Sequence, residues 1–221
     1  MKFAVSFSGG KDSMLALHEM VAAGHEPVAL VVTFRQEAGR SWVHGIEPNL
    51  LSAIGDSLGI PLIYCNAKSE TYDRDMEYAL GQTRELGATA CVFGDIDTTG
   101  HRDWDEARCA AVGFDAILPL WKRDRLEAVR KTLDLGYQCL IKCIRNDILP
   151  DSWLSQPLSH EYIEQMQILG VDACGENGEY HTVVTDGPLF HHPVNTENRG
   201  LVFLDNITAV DLVLAKKHEN I

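Results

Sequence analysis

The 221-residue sequence has no run of eighteen consecutive apolar residues, about the length a helix needs to cross a bilayer, so no membrane partner is expected. The apolar part of Met1-Lys2-Phe3-Ala4-Val5 is too short for the centre of a signal peptide, and a cytoplasmic, reducing location is the expectation. None of the six cysteines forms a CxxC pair. Cys65, Cys91, Cys109, Cys139, Cys143 and Cys174 are scattered, Cys91 and Cys139 inside apolar runs, which predicts buried, reduced thiols. A cluster of basic residues is missing as well. With 19 Lys and Arg against 32 Asp and Glu, the formal net charge is -13, a field that repels phosphate backbones unless the cations are gathered in one place. The densest basic stretch, Lys122, Arg123, Arg125, Arg130 and Lys131, is broken by Asp124 and Glu127 at helical spacing and reads as a solvated helix face. No nucleic-acid partner is expected. Internal repeats, low-complexity tracts and a linker rich in Gly, Pro or Ser are also absent.

What is present is ordinary globular composition, 45% apolar and 23% charged, on a chain long enough for one domain or for a domain with a smaller companion. Short β-rich apolar runs alternate with amphipathic stretches. Strands are expected at 2–7, 28–34, 61–65, 89–93 and 116–120. Between them fall a helix carrying Met14, Leu17 and Val21 and stopping at Gly24, and one opening near Glu47-Pro48 and ending at Gly59. Two more run from about Glu70 to Gly87 and from about Arg102. This succession predicts an α/β fold, a doubly wound parallel five-stranded sheet, with ligands beyond the carboxyl ends of the strands where their order reverses. After Trp121 the rhythm changes to a charged helix with Leu126, Val129 and Leu133, a strand near 138–144, a helix at 159–169 and turn-rich β sequence. The expected division is 1–122 as a nucleotide-binding domain and 123–221 as a smaller α+β domain on the substrate side.

Ser8-Gly9-Gly10-Lys11-Asp12-Ser13 joins the first strand to the first helix, where unpaired N–H groups and the positive end of the helix dipole attract anions. Gly9 and Gly10 allow close backbone approach to a phosphate, Ser8 and Ser13 supply hydroxyls, Lys11 adds charge, and Asp12 could hold Mg²⁺. A glycine turn capped by Ser or Asp is the bland alternative. The spacing is not GxxxxGK[ST], and no GxGxxG follows the first strand.

A second dense stretch is Gly175-Glu176-Asn177-Gly178-Glu179-Tyr180-His181-Thr182. If a strand starts at Glu179, then Glu179 and His181 share a face, able to bind an ammonium group, position a nucleophile or shuttle a proton. A polar hairpin turn with solvated side chains fits the spacing equally well. Trp121 reads as a core or interdomain residue, and His191-His192-Pro193 lacks partners for a metal site.

The segment Val5 to Ser13 resembles the PP-loop of the N-type ATP pyrophosphatases, a Rossmann-like HUP fold whose members split ATP between its α and β phosphates. The 175–182 stretch resembles the signature of the diphthine ammonia ligase family within that superfamily. Gly94-Asp95-Ile96 with His101-Arg102 and Glu106, then Pro119-Leu120-Trp121, and Val43-His44-Gly45, agree in order and spacing. The resemblance implies that ATP and Mg²⁺ adenylate a small-molecule or protein-borne carboxylate and that ammonia then displaces AMP. Residues 8–13 would hold the pyrophosphate, with Lys11 catalytic, and Gly94 and Asp95 would close the nucleotide pocket, Asp95 as a metal or ribose contact. Glu176, Glu179, His181 and Thr182 would face the carboxylate or the ammonia, and His44 would lie toward the adenine side. Related enzymes that thiolate RNA would need a basic docking surface and, usually, catalytic cysteines. Family members tied to cobalamin salvage keep a different small carboxylate open as acceptor, and an ATP-binding module without chemistry is the remaining alternative. For assembly, base rates alone suggest a homodimer.

Overall fold

The computed structural model describes residues 1–35, 39–41 and 44–216. Five parallel strands form the body of the first sheet: β1 (Lys2–Ser6), β2 (Glu26–Arg35), β4 (Leu62–Asn66), β5 (Ala90–Val92) and β6 (Asp115–Ile117). They lie in the order β4-β2-β1-β5-β6, with the two-residue β3 (Arg40–Ser41) pairing antiparallel to the end of β2. The chain winds outward from β1 in one direction through β2 and β4, then returns to its other side through β5 and β6. Strand order therefore reverses between β1 and β5, and the segments leaving those two strands flank the crevice expected of such a sheet.

Alternation along each strand explains why helices cover both faces. Phe3 and Val5 of β1, Leu30 and Val32 of β2, and Val92 of β5 share a core with α1 (Lys11–Ala22), α2 (Pro48–Leu58) and α5 (Arg125–Asp134). Ala4, Val31 and Cys91 point the other way, into a core with α3 (Tyr72–Thr83) and α4 (Thr99–Ala111). Helix α2 follows the pattern read in the sequence: Glu47 caps it by accepting the Leu50 N–H, Pro48 stands at its start, and Gly59 ends it at φ 68°.

The remaining strands form a separate antiparallel sheet in the order β8-β7-β10-β9, from β7 (Gln138–Arg145), β8 (Tyr180–Asp186), β9 (Thr196–Leu204) and β10 (Ile207–Leu214), with α6 (His160–Ile168) beside it. Ile141, Tyr180, Val183, Val184, Val210 and Leu212 belong to the same buried cluster as α1 and β1, so the second sheet is built onto the first through apolar contact. A polar tie adds to this, since His191 N–H donates to the Ser57 carbonyl at the end of α2 at 2.8 Å.

The expected strand at 116–120 is shorter, ending at Ile117, because residues 119–122 turn and Lys122 takes φ 62°. Helix α4 starts at Thr99, three residues before the expected Arg102. All six cysteines are buried and unbridged. The basic stretch 122–131 is an ion-paired surface: Arg123 and Lys131 meet Glu19, and Arg125 meets both Asp97 and Asp172. Among the described residues, no helix is long and apolar enough to cross a membrane.

Candidate active site

The loop after β1 and the turn before β8 meet across one cleft of about 760 Å³. The contact is made by backbone and hydroxyl groups. Val184 N–H donates to the Gly9 carbonyl at 2.9 Å, and Lys11 N–H donates to Thr182 Oγ1 at 3.1 Å. Strand β8 thereby holds the start of α1 at a fixed distance from its own polar turn.

Close approach explains the glycines. Gly9 takes φ 81°, and a Cβ there would come 2.7 Å from Ile46 Cδ1. A Cβ on Gly94 would meet the backbone of Asp12 and Ser13 at 2.8 to 3.0 Å, so the segment leaving β5 presses on the first turn of α1 only because no side chain intervenes. The loop is also braced internally: Gly10 N–H donates to Ser8 Oγ at 3.2 Å, and Ser13 Oγ to the Gly10 carbonyl at 3.0 Å. Asp12 and Ser13, in the first turn of α1, line the cleft, where the macrodipole favours a negative ligand.

Lys11 is 4% exposed, with Nζ 2.7 Å from Asp12 Oδ2 and 5.4 Å from the centre of the Tyr180 ring. Burial pulls its pKa down, but the adjacent Asp12, together with the polar groups of Cys174 and Tyr180, holds the amine well above the ordinary lysine value. It is a fixed cation. The donor atoms of Asp12, Cys174 and Glu176 lie within 4.8 Å of one another. Burial, with Asp12 adding repulsion, lifts the Glu176 carboxyl to about 7. Burial likewise raises the Cys174 thiol, leaving it protonated.

On the second-sheet side, the rings of His44 and His181 stand 4.8 Å apart. His44 Nδ1 lies 2.7 Å from the Thr182 carbonyl, which can only accept, so Nδ1 carries the hydrogen and Nε2 the lone pair. Burial first, then the neighbouring His181, lowers His44 to about 3; burial and Lys11 lower His181 to about 4. Both are neutral imidazoles near pH 7.

The residues singled out from the sequence are thus partly gathered. Ser8, Lys11, Asp12, Ser13, His44, Gly94, Asp95, Glu176, His181 and Thr182 all line the cleft, and Gly9 and Gly10 form the backbone beneath the loop. His44, expected toward the adenine side, lies over Gly10 and against His181. Val43 falls outside the described residues. Glu179 is not among the lining residues: 6% exposed, its carboxylate accepts the Asn177 N–H at 3.1 Å and Asn177 Nδ2 at 3.0 Å, and so closes the turn. Strand β8 begins only at Tyr180, which leaves Glu179 in the turn and His181 on the strand.

Asp105 and the stacked pair Tyr72 and Trp104 also line the cleft, and sequence reasoning missed them. Asp105 sits in a charged run, Arg102 to Glu106, that looks like a solvated helix start, and only the packing of α4 shows that it is 3% exposed.

Residues 1–116 match the model of the diphthamide synthase N-terminal domain, and residues 124–208 match that of the diphthamide synthase C-terminal domain. The chain belongs to the diphthamide synthase family. Among its relatives is a diphthine–ammonia ligase of Danio rerio, 26% identical over 217 residues that cover 86% of this chain and 84% of that protein. The diphthine–ammonia ligase of Homo sapiens is 24% identical over 228 residues, covering 91% of this chain and 85% of its own. A solved structure, described as a predicted subunit of tRNA methyltransferase from Methanocaldococcus jannaschii DSM, aligns with TM-score 0.44 and 15% identity over 83% of this chain and 96% of that one. Diphthamide synthase domains thus span both sheets, and the cleft between the loop and the turn draws on both.

Proposed function

We propose that this chain is an ATP-dependent, amide-forming ligase that activates a carboxylate as its adenylate and transfers ammonia to it, releasing AMP and pyrophosphate. One observation carries the reading. The phosphate-type loop and the Glu176/His181 turn lie far apart in sequence, yet they face each other across one cleft and are tied by Lys11 N–H to Thr182 Oγ1 at 3.1 Å. In this reading residues 1–122 hold the nucleotide and residues 123–221 bring the acceptor side.

Each residue has a role consistent with its surroundings. Lys11, permanently cationic, and the N–H groups at the start of α1 oppose the negative charge that gathers on the phosphates as the bond to the α phosphorus is exchanged. Ser8 and Ser13 add hydroxyl donors. The carboxylate oxygens of Asp12 and Glu176 suit a hard cation, whereas the protonated thiol of Cys174 does not, so those two residues would hold Mg²⁺. When bound, the ion offsets phosphate charge. Glu176, held at about 7 by burial and by Asp12, would be ionised by that cation and so serve as its ligand. His181, kept neutral by burial and by Lys11, can accept a hydrogen bond without adding repulsion against a cationic donor.

The diphthine of the named relatives is the first acceptor to try, and a small free carboxylate the second. The test is AMP release from ATP with ammonium and candidate carboxylates, compared between the native chain and Lys11→Met. AMP formation is expected to fall at least a hundredfold while the circular dichroism spectrum is kept. Undiminished AMP release would remove the loop from the reaction, and ADP in place of AMP would remove the adenylation.

A further inference from the structure

On the wall of the cleft formed by α3 and α4 lie two carboxyl groups, of which only Asp95 has an ion-pairing partner among the described residues, the titratable His101. Asp95, in the segment leaving β5, accepts from His101 Nδ1 at 2.9 Å through its Oδ1. Asp105, on α4, is 3% exposed and lines the cleft, and its Oδ2 receives no hydrogen bond from any described group. Beside them the Tyr72 and Trp104 rings stack at 4.8 Å, 18° from parallel, and the Tyr72 hydroxyl lies 3.4 Å from Thr33 Oγ1.

The guanidinium groups nearby make their ion pairs elsewhere, while the buried Arg108 Nε has no hydrogen-bond partner among the described residues. Arg108 pairs with Asp73 and Glu77, Arg102 with Asp103 and Glu106, and Arg125 with Asp97 and Asp172. A carboxyl group buried as Asp105 is, beside a second carboxylate, must keep a proton or take a cation. Asp105 already shows that demand: burial, then repulsion from Asp95, raises it to about 9, so it keeps its proton near neutral pH. A larger monovalent cation bearing N–H donors would satisfy the orphaned Oδ2 as well. A divalent ion suits the place less, because the pair supplies few oxygens and an aromatic flank.

We propose that Asp95 and Asp105 form the subsite for the nitrogen donor in its protonated form, an ammonium ion or a small primary ammonium, held across the cleft from His44 and His181. The subsite rests on the ligase reading for its role in the reaction, but its occupancy can be measured without turnover. The full-length chain, without nucleotide, is titrated with ¹⁵N-ammonium chloride against sodium chloride of equal ionic strength, reading saturable broadening of the ammonium resonance. A parallel titration uses methylammonium chloride.

The native chain is expected to broaden the resonance saturably, and Asp105→Asn to weaken the apparent affinity at least tenfold. Asp95→Asn, in a more exposed loop position, should do the same and serves where the buried variant does not fold. Tighter binding of methylammonium would identify an organic amine as the donor, and tighter binding of ammonium would identify ammonia. Equal broadening by the native chain and both variants, no broadening at all, or displacement of ammonium by stoichiometric Mg²⁺ would overturn the proposal. Binding that is lost in the variants while the native chain makes no AMP from ATP, ammonium and any carboxylate would leave the subsite standing and refute the ligase reading instead.

Discussion

Replacing His181 by Gln should change how the stability of the protein responds to acid. In the native fold His181 is held at about 4 by burial and by the charge of Lys11, whereas an unfolded histidine titrates near 6.5. Between those values the unfolded chain binds a proton at this position and the folded chain does not. Stability from this group is therefore complete above about 6.5 and is lost as pH falls toward 4. From pH 6.5 to 5 the loss is about 1.5 pH units at about 1.4 kcal/mol each, or roughly 2 kcal/mol. Other groups act in the opposite sense. Glu176 at about 7 and Asp105 at about 9 hold protons in the fold that they would release when unfolded, so acid favours the native state through them. Those contributions are common to both proteins and cancel in the difference. His44, at about 3, also stays neutral at pH 5, so its repulsion with His181 is not yet switched on. The assay is urea unfolding of the native chain and His181→Gln at pH 7 and at pH 5. The stability advantage of the native chain over the variant should shrink by roughly 2 kcal/mol on going to pH 5. An advantage unchanged between the two pH values would show that His181 is solvated and not held neutral beside Lys11.

Gly94→Ala places a Cβ within 3.0 Å of the backbone of Asp12 and Ser13, so it should destabilise the fold by about 1–3 kcal/mol and weaken ATP binding by displacing the start of α1. Thermal unfolding and a nucleotide titration read the two effects separately. Glu179→Ala removes the acceptor of both Asn177 hydrogen bonds and should loosen the turn that carries Glu176, costing about 1–3 kcal/mol. Its activity loss should be recovered in part by Glu179→Gln, whose side-chain oxygen can still accept one of them, measured as AMP release.

The parts legible in the sequence are those whose physics is local. The alternation of Phe3, Ala4 and Val5, the cap at Glu47 with Pro48 and Gly59, and the six-residue loop between β1 and α1 each follow from the steric and hydrogen-bonding needs of neighbouring residues. The succession of those elements then implied five parallel strands and a crevice above them. Glu179 was misplaced because its role depends on where β8 begins, a single-residue matter set by pairing with β7. Asp105 was hidden because a charged run looks the same on a solvated face and on one pressed against a neighbouring strand.

By itself, then, the sequence determined the parallel sheet, the glycine-rich corner after β1 and the existence of a second polar turn, since backbone geometry and hydrophobic periodicity act over a few residues. Tertiary structure alone decided that the turn reaches the corner, that His44 and His181 are stripped of water beside Lys11, and that Asp95 and Asp105 share one wall of the cleft. Those properties arise from burial and from groups brought together by packing, the turn and the corner across more than a hundred residues of chain, and no local pattern carries that information.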